Sequence, residues 1–111
     1  MIVETFRVTA DTTDLLSTGT RLKTIPYDGE LIVEFQAHEN SATNNYTVTM
    51  QLPDGSTPLE DVTIPAGATA GAINDNDKYV VAFPISGGGG VVIACDETGT
   101  TVMDVRVTLM P

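Results

Sequence analysis

The chain has 111 residues, 41% of them apolar and 5% aromatic, with no Trp. One domain of this length buries a core without disulfides, and the single cysteine, Cys95, excludes an intrachain disulfide. Fifteen acidic residues against five scattered basic ones give a formal net charge of −10, which argues against direct binding to nucleic acid or to an anionic membrane, since both need clustered Lys and Arg.

From the N-terminus onward the hydrophobic pattern alternates with a period of two. Phe6 and Val8 oppose Thr5, Arg7 and Thr9. A short stretch, "TDLLSTG" at 13–19, suits one helical turn, and a weaker strand is expected over Thr20–Ile25. In "ELIVEFQAHE", Leu31, Val33, Phe35 and Ala37 share one face, opposite Glu34, Gln36 and His38. In "NYTVTMQL", Tyr46, Val48, Met50 and Leu52 oppose Thr47, Thr49 and Gln51. A further strand is expected over Leu59–Ile64, and in "VMDVRVTL" Met103, Val105, Val107 and Leu109 oppose Asp104, Arg106 and Thr108. Alternation of this kind describes strands with one buried face. Turn-forming stretches such as "YDGE", "PDGS", "PAGATAG" and "DETGT" separate them. The reading is a single-domain, all-β antiparallel sandwich or barrel, jelly-roll-like, of about eight short strands. Strand count and alternation alone do not separate jelly-roll from immunoglobulin-like topology.

Two strands depart from strict alternation. "YVVAFPI" places Tyr79, Val81, Phe83 and Ile85 on one face but Val80, Ala82 and Pro84 on the other, and "VVIAC" at 91–95 is apolar on both sides, with Val92 and Ala94 on its second face. Together the two are expected to form a hairpin. A two-layer core covers one face of such strands, so a loop of the same chain or a neighbouring subunit must cover the second. Val80, Ala82, Pro84, Val92 and Ala94 are therefore the expected oligomer-interface residues.

No stretch carries recognisable catalytic or cofactor chemistry. Gly87 to Gly90 are followed by Val-Val-Ile, without the Lys, the Ser/Thr and the helix start that a phosphate loop requires. They are expected only to turn the chain. "NDNDK" at 74–78 begins like a calcium loop, but its sixth and twelfth positions from Asp75 are Val80 and Ser86 rather than Gly and Glu. His38 is the sole histidine and lies on a different expected strand from Cys95, which leaves neither a zinc ligand set nor a supported Cys–His pair. The expectation is a non-enzymatic protein with no cofactor and no metal. The start, "MIVETFRVTADTT", lacks a basic segment followed by an apolar one, so no signal peptide is expected. No apolar run reaches the roughly 18 residues of a membrane helix.

The succession "TIPYDGELIVEFQA", "LEDVTIPAGATAGAI", "YVVAFPISGGGGVVIAC" and "TTVMDVRVTLMP" resembles the small head-decoration, or cement, proteins of tailed bacteriophages. The likeness lies in strand order and turn placement from about Thr20 onward, and rests on no diagnostic motif. It implies a structural virion protein on the outer capsid surface, made in the host cytoplasm, a homotrimer that clamps neighbouring major capsid protein subunits. It further implies an N-terminal arm or first strand over residues 1–19 ahead of a sandwich domain at 20–111. Ile2, Thr5, Phe6, Arg7 and Val8 are then the capsid-contacting residues, and their alternation suits adding a strand to a neighbour's sheet. The competing reading is another virion or surface β-sandwich module, from a fibre or baseplate or binding carbohydrate. An enzyme of cupin type would need a cluster of histidines that the chain lacks.

Overall fold

A computed structural model describes residues 1–8, 14–16, 20–37, 45–64, 78–96 and 103–111, with backbone alone for 45–46, 59–64 and 95–96. Among the described residues seven strands form: β1 (Ile2–Val8), β2 (Gly29–Ala37), β3 (Asn45–Gln51), β4 (Leu59–Ile64), β5 (Lys78–Ile85), β6 (Gly90–Asp96) and β7 (Met103–Met110). They make two antiparallel sheets, a larger one ordered β1-β7-β2-β5 and a smaller one ordered β4-β3-β6. The first strand lies beside the last, and among consecutive strands only β3 and β4 pair. An immunoglobulin sandwich instead pairs its first strand with its second in chain order. Among the described residues the order is that of a jelly roll without one of its edge strands. Where that strand would run, the Leu15 N–H donates to the Ile93 carbonyl of β6 at 2.9 Å.

The alternation read from the sequence becomes the burial pattern. Leu31, Val33, Phe35 and Ala37 of β2 and Met103, Val105, Val107 and Leu109 of β7 all lie in one core with Val48, Val91 and Ile93 of the smaller sheet. Period-two placement of Val, Ile and Leu is what lets two pleated faces interlock in this way.

The expected strand at Thr20–Ile25 is a run of turns and bends. Its two large apolar residues explain the difference. Leu22 and Ile25 are three apart, so a strand would send them to opposite faces, whereas the turn buries both. The Leu22 N–H donates to Glu4 Oε1 at 2.7 Å, which ties the turn to β1. Asp14–Leu16 is a bend rather than helix: Asp14 Oδ1 accepts the Leu16 N–H at 3.0 Å, and Leu16 is fully buried. This is the local Asp turn that competes with helix.

Gly87 to Gly90 do turn the chain, but not into a hairpin. They carry it from β5 in the larger sheet to β6 in the smaller one. Gly88 adopts φ of 86°, in the left-handed region that glycine enters freely. Gly88 donates to the Ile25 carbonyl at 2.7 Å, and the Gly89 carbonyl accepts the Ile25 N–H at 2.9 Å. The loop is thus zipped onto the β1–β2 connection, and these backbone groups are committed to the fold.

The β3–β4 hairpin closes through Pro53-Asp54-Gly55. Asp54 Oδ1 accepts the Ser56 hydroxyl at 2.6 Å and the Ser56 N–H at 2.9 Å. The hydroxyl first and the N–H second hold the Asp54 carboxyl below the usual carboxylate range. Its folded pKa therefore lies below the unfolded one. The contact adds stability above the unfolded pKa and loses it as pH falls through the folded value. Carboxyl NMR titration is expected to find Asp54 titrating low, and Ser56→Ala to move it back toward the ordinary value.

Candidate functional site

The outer face of the larger sheet spans four strands whose facing residues are all described. Its residues follow from register. One row across the four strands is Val3, Thr108, Ile32 and Ala82; the next is Thr5, Arg106, Glu34 and Val80; the next is Arg7, Asp104, Gln36 and Lys78. At the opposite end Met110, Glu30 and Pro84 line up, with Met1 beyond β1. The face is therefore split into an apolar half and a charged half. Among the described residues, the large apolar side chains left exposed are Met1 (75%), Val80 (63%) and Met110 (42%). All three belong to this face.

Two concavities follow the split. Met1, Val3, Ile32, Thr108 and Met110, with Glu34 and Arg106 at one side, line a shallow groove of about 270 Å³. Thr108 sits in its floor and is only 8% exposed. A second trough of about 480 Å³ crosses all four strands at the charged end, from Thr5 and Arg7 to Lys78 and Val80. There Arg7 grips Asp104 with both ends of its guanidinium, Nε to Oδ1 at 2.8 Å and Nη2 to Oδ2 at 3.0 Å. The Asp104 hydrogen bond first, and its charge second, raise the Arg7 pKa above its ordinary value. Arg106 Nη2 donates to Glu34 Oε2 at 2.5 Å. Both pairs are solvent-exposed, with side-chain exposures of 61% and 40% for Arg7 and Asp104. Exposed pairs couple weakly. A double-mutant cycle of Arg7→Ala and Asp104→Ala is expected to give less than about 1 kcal/mol, shrinking further in high salt.

The residues singled out from the sequence divide among three places. Thr5 and Arg7 are on the outer face, on edge strand β1. Val80, Ala82 and Pro84 are on the same face, on the opposite edge strand β5, all exposed. Three strand spacings of ~4.8 Å separate the two edges by roughly 14 Å. Ile2 and Phe6 pack against the core and Val8 lies within it. Val92 and Ala94 belong to β6, opposite to the core-facing Val91 and Ile93, and so lie on the other sheet. The expected hairpin is thus two strands of different sheets, and the five interface residues do not form one patch. Of the expected arm or first strand, residues 2–8 form a strand that pairs with β7 along its whole length. Pro84 suits an edge strand, where a missing N–H costs no ladder bond.

The cross-strand pairs Arg7–Asp104 and Arg106–Glu34 are not legible in the sequence, because a single sequence does not say that the first and last strands are neighbours. Their signal was present: opposite charges on the polar faces of three alternating strands. Among the described residues no group of three or more His, Cys, Asp and Glu side chains is placed to hold a metal. His38 and the "NDND" turn at 74–77 lie outside the described residues, as does the side chain of Cys95. No helix among the described residues is long and apolar enough to cross a membrane.

No family model and no curated protein matches the chain. Among solved structures it is similar to the isomalto-dextranase of Arthrobacter globiformis T6 complexed with panose, at 17% identity and a TM-score of 0.38. The alignment covers 95% of this chain and 16% of the enzyme. A likeness this distant leaves the functional reading to the residues themselves.

Proposed function

We propose that the chain is a structural virion protein that binds the outer surface of a phage capsid and stabilises it by clamping neighbouring major capsid subunits. In this reading it acts as a homotrimer, without catalysis and without a cofactor, after synthesis in the host cytoplasm. The observation that carries the reading is the outer face of the larger sheet. It carries Met1, Val80 and Met110, the large apolar side chains left exposed among the described residues, with Met1 and Met110 at its apolar end and Val80 at its charged end. Apolar exposure concentrated on one face marks a surface that works by contact. A small protein with one such face gains strength from repetition, since a symmetric oligomer engages several subunits at once. The strand order and turn placement described above add to it.

Carbohydrate binding is the alternative, and it would rest on aromatic rings turned outward. Among the described side chains, Phe35 and Phe83 lie within the core and Phe6, Tyr27 and Tyr79 pack against it, with Phe6 and Tyr79 also lining the trough.

The experiment is cosedimentation with expanded, empty capsids of the phage that encodes the chain. Saturable binding at a fixed ratio to the major capsid protein, with a rise in capsid melting temperature, is the expected result. Absence of both would overturn the reading.

A further inference from the structure

Resting on the assembly proposed above, we infer that the charged trough receives a carboxylate-bearing surface of a second copy of this chain. The argument begins with how few cations the chain has. Three of its five basic residues, Arg7, Lys78 and Arg106, line this one trough. Two carboxylates line it as well, and both are engaged: Asp104 by Arg7 and Glu34 by Arg106. Lys78 is exposed and has no ion pair among the described residues. The trough therefore carries a formal net charge of +1, in a chain whose total is −10.

The molecule is electrically two-sided as a result. Everything outside the trough sums to −11. Two copies approaching at random repel each other. The approach that sets a carboxylate of one copy against Lys78 of the other is relieved of that repulsion and gains a charge-assisted hydrogen bond. Val80, the neighbour of Lys78 on the same face, adds exposed apolar area for the incoming side chains. A volume of about 480 Å³ admits a few side chains rather than a whole element.

The geometry also decides the kind of contact. Trough against trough across a two-fold axis would set two net-positive surfaces together, with the carboxylates in both already engaged. A cationic trough meeting an acidic surface is instead head-to-tail, and such contacts close into rings when the rotation permits. A trimer is one such ring.

The test compares self-association of the wild type, Lys78→Gln and Thr24→Glu by sedimentation equilibrium. Both variants make the chain more negative by one charge, but Thr24 is exposed and outside the trough. Far-UV circular dichroism checks that each is folded. Losing the Lys78 charge is expected to raise the apparent dissociation constant at least about tenfold, while Thr24→Glu stays within about twofold of the wild type. Equal weakening by both variants would reduce the effect to general repulsion and overturn the inference. An oligomer indifferent to Lys78→Gln would overturn it too, while leaving the assembly standing. A wild type that is monomeric throughout, yet sediments with capsids, would overturn the copy-to-copy contact and retain the capsid partner.

Discussion

Replacing Phe35 by Ala is expected to cost about 3–5 kcal/mol of folding stability in urea unfolding. Phe35 is 1% exposed and is one of the largest fully buried side chains. Its strand, β2, is hydrogen-bonded on both sides, to β7 and to β5, so the cavity opens in the middle of the larger sheet. Neither neighbour is free to collapse into it without disturbing a ladder, which keeps the cavity contribution large. Domains of this size have about 5–15 kcal/mol in total, so the loss is a substantial fraction. Ile32→Ala serves as the comparison. Ile32 is on the same strand, but on the outer face and half-buried, and its truncation is expected to cost about 1 kcal/mol or less. Equal losses at the two positions would mean that the inner and outer faces of β2 have been wrongly assigned.

The second large effect is expected at Gly89, from Gly89→Ala. A Cβ built there stands 2.5 Å from the Gln51 carbonyl oxygen and 3.1 Å from that of Ser86. Both obstacles are backbone, and the first belongs to β3, so relief requires a strand or the whole turn to shift. The turn cannot move freely, because Ile25 is hydrogen-bonded on either side of the Gly88–Gly89 peptide. The expected loss is about 3 kcal/mol, at the upper end of ordinary single substitutions. Gly90→Ala is the control. Its new Cβ would have its nearest neighbour, the Lys23 carbonyl oxygen, at an ordinary 3.4 Å. It is expected to change stability by less than about 1 kcal/mol in either direction. Thermal or urea unfolding of the two variants side by side decides the matter.

Much of the fold was legible because strands speak through side-chain period. The alternations around Leu31–Ala37 and Met103–Leu109 foretold which residues form the core, and Leu59–Ile64 was bounded as found. What failed was pairing. The apolar runs at 79–85 and 91–95 are joined by four glycines, and such a joint is equally suited to a hairpin and to a crossing between layers. Nothing local tells the two apart, because the partner strands are β2 and β3, dozens of residues away. The same limit hid the outer face. Arg7 and Asp104 are 97 residues apart, and Arg106 and Glu34 are 72 apart. Their convergence is a property of register, and register belongs to the assembled sheet. Thr20–Ile25 differs for another reason: its composition suits a strand, but the three-residue spacing of Leu22 and Ile25 does not, and the turn buries both.

The surface that results gives the proposed function its physical form. An edge-to-edge face, apolar at one end and ion-paired at the other, offers area for contact and charge for orientation. Fully apolar faces of this size associate without choosing a register, and fully charged ones rarely hold on their own.

The central claim is that this face, and not the outer face of the smaller sheet, is where the molecule makes contact. Sedimentation equilibrium across a range of concentrations, on the wild type, Val80→Asp and Val92→Asp, tests it most directly. The account predicts a wild-type mass three times the 11.7 kDa of the chain, a Val80→Asp variant that is folded but monomeric, and a Val92→Asp variant that keeps the wild-type mass. A trimer untouched by Val80→Asp but broken by Val92→Asp would contradict it.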